Sequence, residues 1–238
     1  MGYRDRFLKY MRGGPEAIDG WPHPIPIEDF NKAIARTLGV ALSERGFESV
    51  APRLWVRSSR APIRDLLKIQ AGKGVGYSPM WGFSLDFVPH VTTGGEIKWH
   101  RTAKSARFDL EYRPTEDAPM ASETREWDVS PLATPEELQE DLSRVTRLIM
   151  AHAMPFWERV RGIEDLRTVY REQRIRQSAN RPFVSYLQQD LASAFVLAKS
   201  GDAAGRAELA EYIRAHDVRP ETARKLEELL EQTCPSSD

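Results

Sequence analysis

The sequence has almost no cysteine. Cys234 is the only one in 238 residues, so no internal disulfide can form and a thiolate metal set is excluded. A lone thiol near the C-terminus with no neighbouring histidine reads as inert. No stretch approaches the roughly 20 apolar residues of a membrane helix. The N-terminal segment carries Arg4, Arg6, Lys9 and Arg12 and has no apolar run of signal-peptide length. Arg6 also stands where a myristoylation motif needs Ser or Thr. Charge of one sign is missing too: 34 basic residues face 35 acidic ones, a net charge of -1. That balance gives no molecule-wide field to attract nucleic acid or an anionic membrane. The expectation is a soluble cytoplasmic protein, with no membrane association and no cofactor.

Recognisable catalytic signatures are missing as well. There is no His-Glu-x-x-His and no Gly-x-Ser-x-Gly. Gly72-Lys-Gly-Val-Gly76 invites a phosphate-loop reading, but no Lys-Ser or Lys-Thr closes it and a strand follows where a helix is needed. It reads as a hairpin turn. Whether the chain is an enzyme stays open at this level, because catalytic groups assemble in space.

What is present is enough apolar residue (41%) to build a core. Two stretches alternate. Trp81, Phe83, Leu85 and Phe87 are separated by Gly82, Ser84 and Asp86, and Phe108, Leu110 and Tyr112 by Asp109 and Glu111. Strand side chains point to opposite faces in turn, so each stretch predicts one apolar face and one wet face. Further strands are predicted at Leu54 to Arg57 and Leu66 to Ala71, with short ones at Ile97 to Trp99 and Trp127 to Val129. Gly72 to Ser78 would join two of them as a hairpin.

Helices flank these strands. Tyr3 to Met11 predicts a short amphipathic one, followed by a proline-dense strap, 21–26. Ile27, Phe30, Ile34, Leu38 and Ala41 make a stripe that predicts a helix to Arg45, capped by Gly46. Thr134-Pro-Glu-Glu137 is a capping box with proline at the first helical position. The helix it opens should kink or break at Pro155 and end at Gly162. His152 lies on its apolar side and reads as a hydrogen-bonded core residue. From Ile163 onward helices are predicted over Ile163 to Arg176, Pro182 to Ser200, from Asp202, and from Pro220.

The fold expected is therefore α+β: an antiparallel sheet of four or five strands flanked by helices, then an all-helical C-terminal subdomain. The divisions are 1–26 (helix and strap), 27–162 (α+β) and 163–238 (helical). The order of elements also resembles a known family. Phe30-Asn-Lys-Ala-Ile34 leads through Glu44-Arg-Gly-Phe47 to Leu54 to Val56. Asp65-Leu-Leu-Lys-Ile-Gln70, Trp81-Gly-Phe-Ser-Leu-Asp-Phe87 and Trp127-Asp-Val follow, ahead of the capped helix. These residues look like the bacterial domain-of-unknown-function family four-three-zero-four, over residues 28 to 160. The resemblance implies a fold and transfers no activity or site residue.

Three functional readings remain. The leading one is a non-catalytic binding or interaction module whose partner is another protein. Its surface would lie around Trp81, Trp99, His100, Arg101 and Lys104, because exposed aromatics and arginines anchor interfaces. A second reading is a small metal-dependent hydrolase or other enzyme using Asp86, His90 and His100, a two-histidine, one-carboxylate set. The third is nucleic-acid binding through the basic run from Lys98 to Arg107, with Trp99 available to stack on a base.

Overall fold

The computed structural model describes residues 25–71, 77–113, 127, 129, 134–179 and 189–234. The expected helix at Tyr3 to Met11, most of the strap and the Gly72 turn lie outside them. Five strands form one antiparallel sheet in the order β1-β2-β3-β4-β7. They are β1 (Glu48–Ala51), β2 (Leu54–Arg57), β3 (Ile63–Ala71), β4 (Tyr77–Leu85) and β7 (Leu110–Tyr112). A separate two-stranded ladder pairs β5 (His90–Val91) with β6 (Ile97–Lys98). With the helices described below, the fold is α+β.

The described residues group into two compact units that interleave along the sequence. The described residues of Met1–Trp55, Leu67–Met80 and Arg113–His152 form one. Those of Val56–Leu66, Trp81–Tyr112 and Ala153–Asp238 form the other.

In the first unit, the predicted amphipathic helix is α1 (Ile27–Ile34), a π turn (Ala35–Gly39) and α2 (Val40–Ser43). The π turn corrects the expected stripe. It adds a residue to one turn, so the buried positions run Phe30, Ile34, Leu38 and Leu42, each at 1% exposure or less. Ala41 is only half-buried and Ile27 is 49% exposed. Gly46 ends the segment at φ 81°, the left-handed conformation expected of it. Phe30 packs on Tyr77, with ring centroids 4.4 Å apart. Trp127 to Val129 contributes a single bridge, Val129 to Tyr77.

The capping box forms as the sequence predicts. Thr134 N–H donates to Glu137 Oε2 (2.9 Å), and Glu137 N–H donates to Thr134 Oγ1 (3.2 Å). It opens α3 (Pro135–Glu158), which buries Leu138, Leu142, Val145 and Ile149 in this unit. His152 is exposed, with its ring edge against Trp127 at 5.4 Å, so the core role expected for it is wrong.

The second unit begins where α3 continues through Pro155 without ending. Proline removes a single donor, and the bonds beyond it close normally: Arg159 N–H to Pro155 O (3.1 Å) and Val160 N–H to Trp157 O (3.0 Å). Trp157 is fully buried and donates through Nε1 to Gly82 O (3.0 Å). That anchor holds the last turn, and of the kink or break expected at Pro155 the break does not occur. Helices α4 (Ile163–Ala179), α5 (Gln189–Lys199), α6 (Ala204–Ala215) and α7 (Pro220–Thr233) follow. α5 packs on α4, α6 and α7. Asp202 Oδ1 accepts the Ala204 N–H (2.9 Å) at the start of α6, the capping role expected of it.

The alternation in β4 has a different meaning from the one predicted. Trp81, Gly82, Phe83, Ser84 and Leu85 are all buried. Gly82 sits opposite Glu111, and a Cβ on it would strike the Leu110 carbonyl. Ser84 Oγ accepts the Arg107 N–H (3.3 Å). The small residues mark close approach of a second stretch of chain, not a wet face. Asp109, also expected to face water, is 4% exposed, whereas Phe108 is half-buried and precedes the strand.

Candidate functional site

Between β4 and β7, within the second unit, the chain makes the small β5–β6 hairpin. Its tip is shaped by Thr92. Thr92 N–H donates to Glu96 O (2.9 Å), Gly95 N–H donates to Thr92 O (2.8 Å), and Thr92 Oγ1 accepts the Glu96 N–H (3.1 Å). Gly95 takes φ 81°, which no β-branched residue would adopt without strain. A Cβ there would also lie 3.2 Å from Thr222 Oγ1.

The start of α7 grips this tip. Thr222 Oγ1 donates to Gly95 O (2.9 Å), and the Arg219 guanidinium donates to Gly94 O. Ahead of it, α6 ends with Val218 N–H bonded to Ile213 O (3.1 Å), and Asp217 is left-handed at φ 47°. That six-to-one bond is the mark of a Schellman-type end, with Asp where Gly is usual. It turns His216 back onto the Tyr212 ring, with centroids 4.6 Å apart.

The hairpin, Arg107 and the α6–α7 turn enclose a cleft of about 560 Å³, a size suited to a small ligand or one recognised group of a larger partner. Its ionisable lining is His90, Arg107, His216 and Arg219 against a single acid, Asp217. Arg219 is engaged with Gly94 O. Among the described residues the Arg107 guanidinium forms no ion pair, and His216 Nε2 is buried with no hydrogen-bond partner. The His100 ring lies 5.4 Å from that of His90. Its pKa is held below the ordinary histidine value, first by burial and then by the positive charge of Arg107; the Ser105 backbone pulls the other way and His90 adds a further lowering. The same Arg107 charge also acts on the buried Asp109 carboxyl, which it pulls down.

The predicted site residues divide. Trp81 is 1% exposed, its ring against Tyr112 at 5.0 Å, so it presents no binding face; strand burial overrides its surface role. Trp99 is half-buried, and the Arg101 guanidinium covers its ring at 3.9 Å. Arg101 also donates from Nε to Asp86 O (3.1 Å). Lys98 pairs with Glu96 (3.2 Å), and Lys104 is exposed on the 3₁₀ turn Ala103–Ser105. The basic run thus spends two of its cations internally.

His90 and His100 do come together, but Asp86 is ion-paired with Arg64. Burial lowers the Arg64 pKa, and Arg64 also donates to Arg101 O (2.8 Å). Among the described residues no three His, Cys, Asp or Glu side chains group as a metal site. That corrects the two-histidine, one-carboxylate set: the carboxylate is held by a guanidinium instead.

Sequence reasoning missed Tyr212, His216, Asp217, Arg219 and Thr222. The local signal was present, since Pro220 marks a helix start and the preceding turn is polar. Nothing local says that Thr222 meets Gly95 across 127 positions.

Two further polar clusters lie in this unit. Asp65 is fully buried and bonded by Arg57 Nε (2.6 Å) and by Arg60. Burial pushes its pKa up, while both arginines pull it back. Arg60 also donates to Trp157 O (2.9 Å) and Val160 O, satisfying the end of α3. Asp109 Oδ2 accepts the Leu85 N–H (2.7 Å), and burial pushes its pKa up to about 8. Tyr170, buried with no partner for its hydroxyl among the described residues, is pushed well up by burial and by the Asp109 charge.

No family model, no curated protein and no solved structure matches this chain.

Proposed function

We propose that this chain is a non-catalytic binding module, that its partner is another protein, and that the cleft bounded by β5, β6, Arg107 and the α6–α7 turn receives an acidic group of that partner. The observation that carries the reading is the Arg107 guanidinium: it lines a ligand-sized cleft and forms no direct ion pair among the described residues. A half-buried guanidinium with free N–H donors can take up an acidic group. The cleft walls come from a hairpin, a strand approach and a helix turn, all cross-bonded, so the donors are pre-positioned. The α+β fold agrees with the resemblance to the family of unknown function; membership in that family is part of the same proposal and adds no activity.

Nucleic-acid binding through Lys98 to Arg107 has less support, because Arg101 is stacked on Trp99 and Lys98 is paired with Glu96. Among the described residues no helix is long and apolar enough to cross a membrane.

Capture from a native lysate tests the reading. Wild-type protein should retain a discrete partner that elutes with salt, and Arg107→Glu should lose it. Recovery of the chain alone at every salt concentration, or identical partners on the Arg107→Glu protein, would count against it. Retention on heparin resin at low salt that depends on Lys104 but not Arg107 would favour nucleic acid instead.

A further inference from the structure

We infer that the group recognised in this cleft is a phosphate monoester. The inference rests on the binding reading above and narrows it to one chemistry. The donors in the cleft are of several kinds and come from separate elements. Arg107 brings a guanidinium with five N–H donors and no ion pair among the described residues. His216 brings Nε2, buried and without a hydrogen-bond partner. Thr92 brings a hydroxyl whose oxygen already accepts the Glu96 N–H, leaving its proton to donate outward. Thr93, exposed beside it, adds a second hydroxyl.

A carboxylate has two oxygens and one negative charge, and the arginine fork alone would satisfy it. A phosphate monoester has three terminal oxygens and carries close to two charges at neutral pH. It can engage the fork, the imidazole and a threonine hydroxyl at once. The lining carries two permanent cations, Arg107 and Arg219, against one acid, Asp217, so its net charge favours an anion; the third oxygen, not the charge count, separates a phosphate from a carboxylate. The volume, about 560 Å³, exceeds a bare phosphate and admits the organic portion of the ester against Tyr212, Val91 and Val218.

The phosphate monoester can belong to a small molecule or to a phosphorylated side chain, and the test separates them. Full-length protein is titrated by calorimetry at low ionic strength with inorganic phosphate, adenosine monophosphate, a short neutral phosphoserine peptide and citrate. Binding of phosphate and of at least one ester is expected, with citrate at least tenfold weaker. Arg107→Gln should weaken the ester at least tenfold and Thr93→Val several-fold, both variants keeping the wild-type circular dichroism and melting temperature. Bound phosphate should also move the NMR titration midpoint of His100 upward, because it compensates the Arg107 charge that depresses it; a merely structural role for Arg107 would leave that midpoint fixed.

Adenosine monophosphate tighter than the peptide assigns the ester to a small molecule, and the reverse order assigns it to a protein segment. Equal binding of citrate, or an Arg107→Gln protein that binds as wild type does, overturns the inference. If none of the phosphates binds while partner capture still depends on Arg107, the phosphate chemistry is wrong and the acidic-partner reading stands. If capture is also indifferent to Arg107, both fall.

Discussion

Replacing Asp109 with asparagine should flatten the dependence of stability on pH in the second unit. The carboxyl is 4% exposed, accepts the Leu85 N–H, and has a folded-state pKa of about 8 against an ordinary value of 3.8. Burial disfavours its charged form and is the largest cause of the shift. The folded protein therefore keeps this proton through neutral pH, whereas the unfolded chain releases it above about pH 4. Unfolding between those limits releases a proton, so stability falls as pH rises through that window. Asp109 contributes its full stabilising share below pH 4 and has lost it by about pH 8.

The slope is about 1.4 kcal/mol per pH unit where the two states differ by a whole proton. Asparagine carries the same carbonyl acceptor for Leu85 and no titrating group. The stability of Asp109→Asn relative to wild type should therefore rise by about 3 kcal/mol from pH 5 to pH 7, whatever its offset at pH 5. Other groups titrate equally in both proteins and cancel in the difference. Urea denaturation followed by tryptophan fluorescence is a direct assay, because Trp81 and Trp157 are buried in the same unit as Asp109. Two parallel curves of stability against pH, offset by a constant, would refute the reasoning: Asp109 would then be ionised in the folded protein.

Other substitutions probe other contacts. Thr134→Ala removes the reciprocal cap of α3 and should cost about 1 kcal/mol in thermal or urea melts; no change would mean the box forms without bearing on stability. Gly82→Ala drives a methyl into the Leu110 carbonyl and should lower the melting temperature more than Gly162→Ala, which meets nothing within 4 Å. Asp65→Ala leaves Arg57 and Arg60 facing each other without their carboxylate, and should cost roughly 3 to 5 kcal/mol as a broken buried pair does. Tyr170→Phe removes a hydroxyl that has no partner among the described residues and should change stability by less than about 1 kcal/mol; a larger loss would reveal a hydrogen bond at that oxygen.

Local physics made much of the fold legible. The Thr134 cap, the Gly46 stop, the Pro220 start and the Leu54–Arg57 strand each depend on a few adjacent residues, and each lies where the residue types predict. The failures share a cause. Ser84, Asp109 and Gly82 are polar or small, which in sequence resembles a solvated strand face. In the protein they are interior because Leu110 and Arg107 pass close enough to use them. Pro155 likewise looks like a helix end, and Trp157 holds the helix through it by a bond to Gly82 O. The π turn displaced the stripe by one residue, from Ala41 to Leu42, and no residue type within Ala35–Gly39 announces it.

The candidate site was half visible for the same reason. Arg107, His90 and His100 lie in the stretch that composition singled out, but their chemistry depends on what the rest of that stretch does with its charges. Asp86 is the instructive case. In sequence it completes a metal-binding triad; in space it is ion-paired with Arg64. The two histidines lie together without it. The partner of Asp86, Arg64, is buried in a strand beside Asp65, where the alternating pattern alone would not mark it as part of any site. Arg64→Met leaves the Asp86 carboxylate without its guanidinium partner and should lower the melting temperature. A melting temperature equal to wild type would show that the pair does not bear on stability.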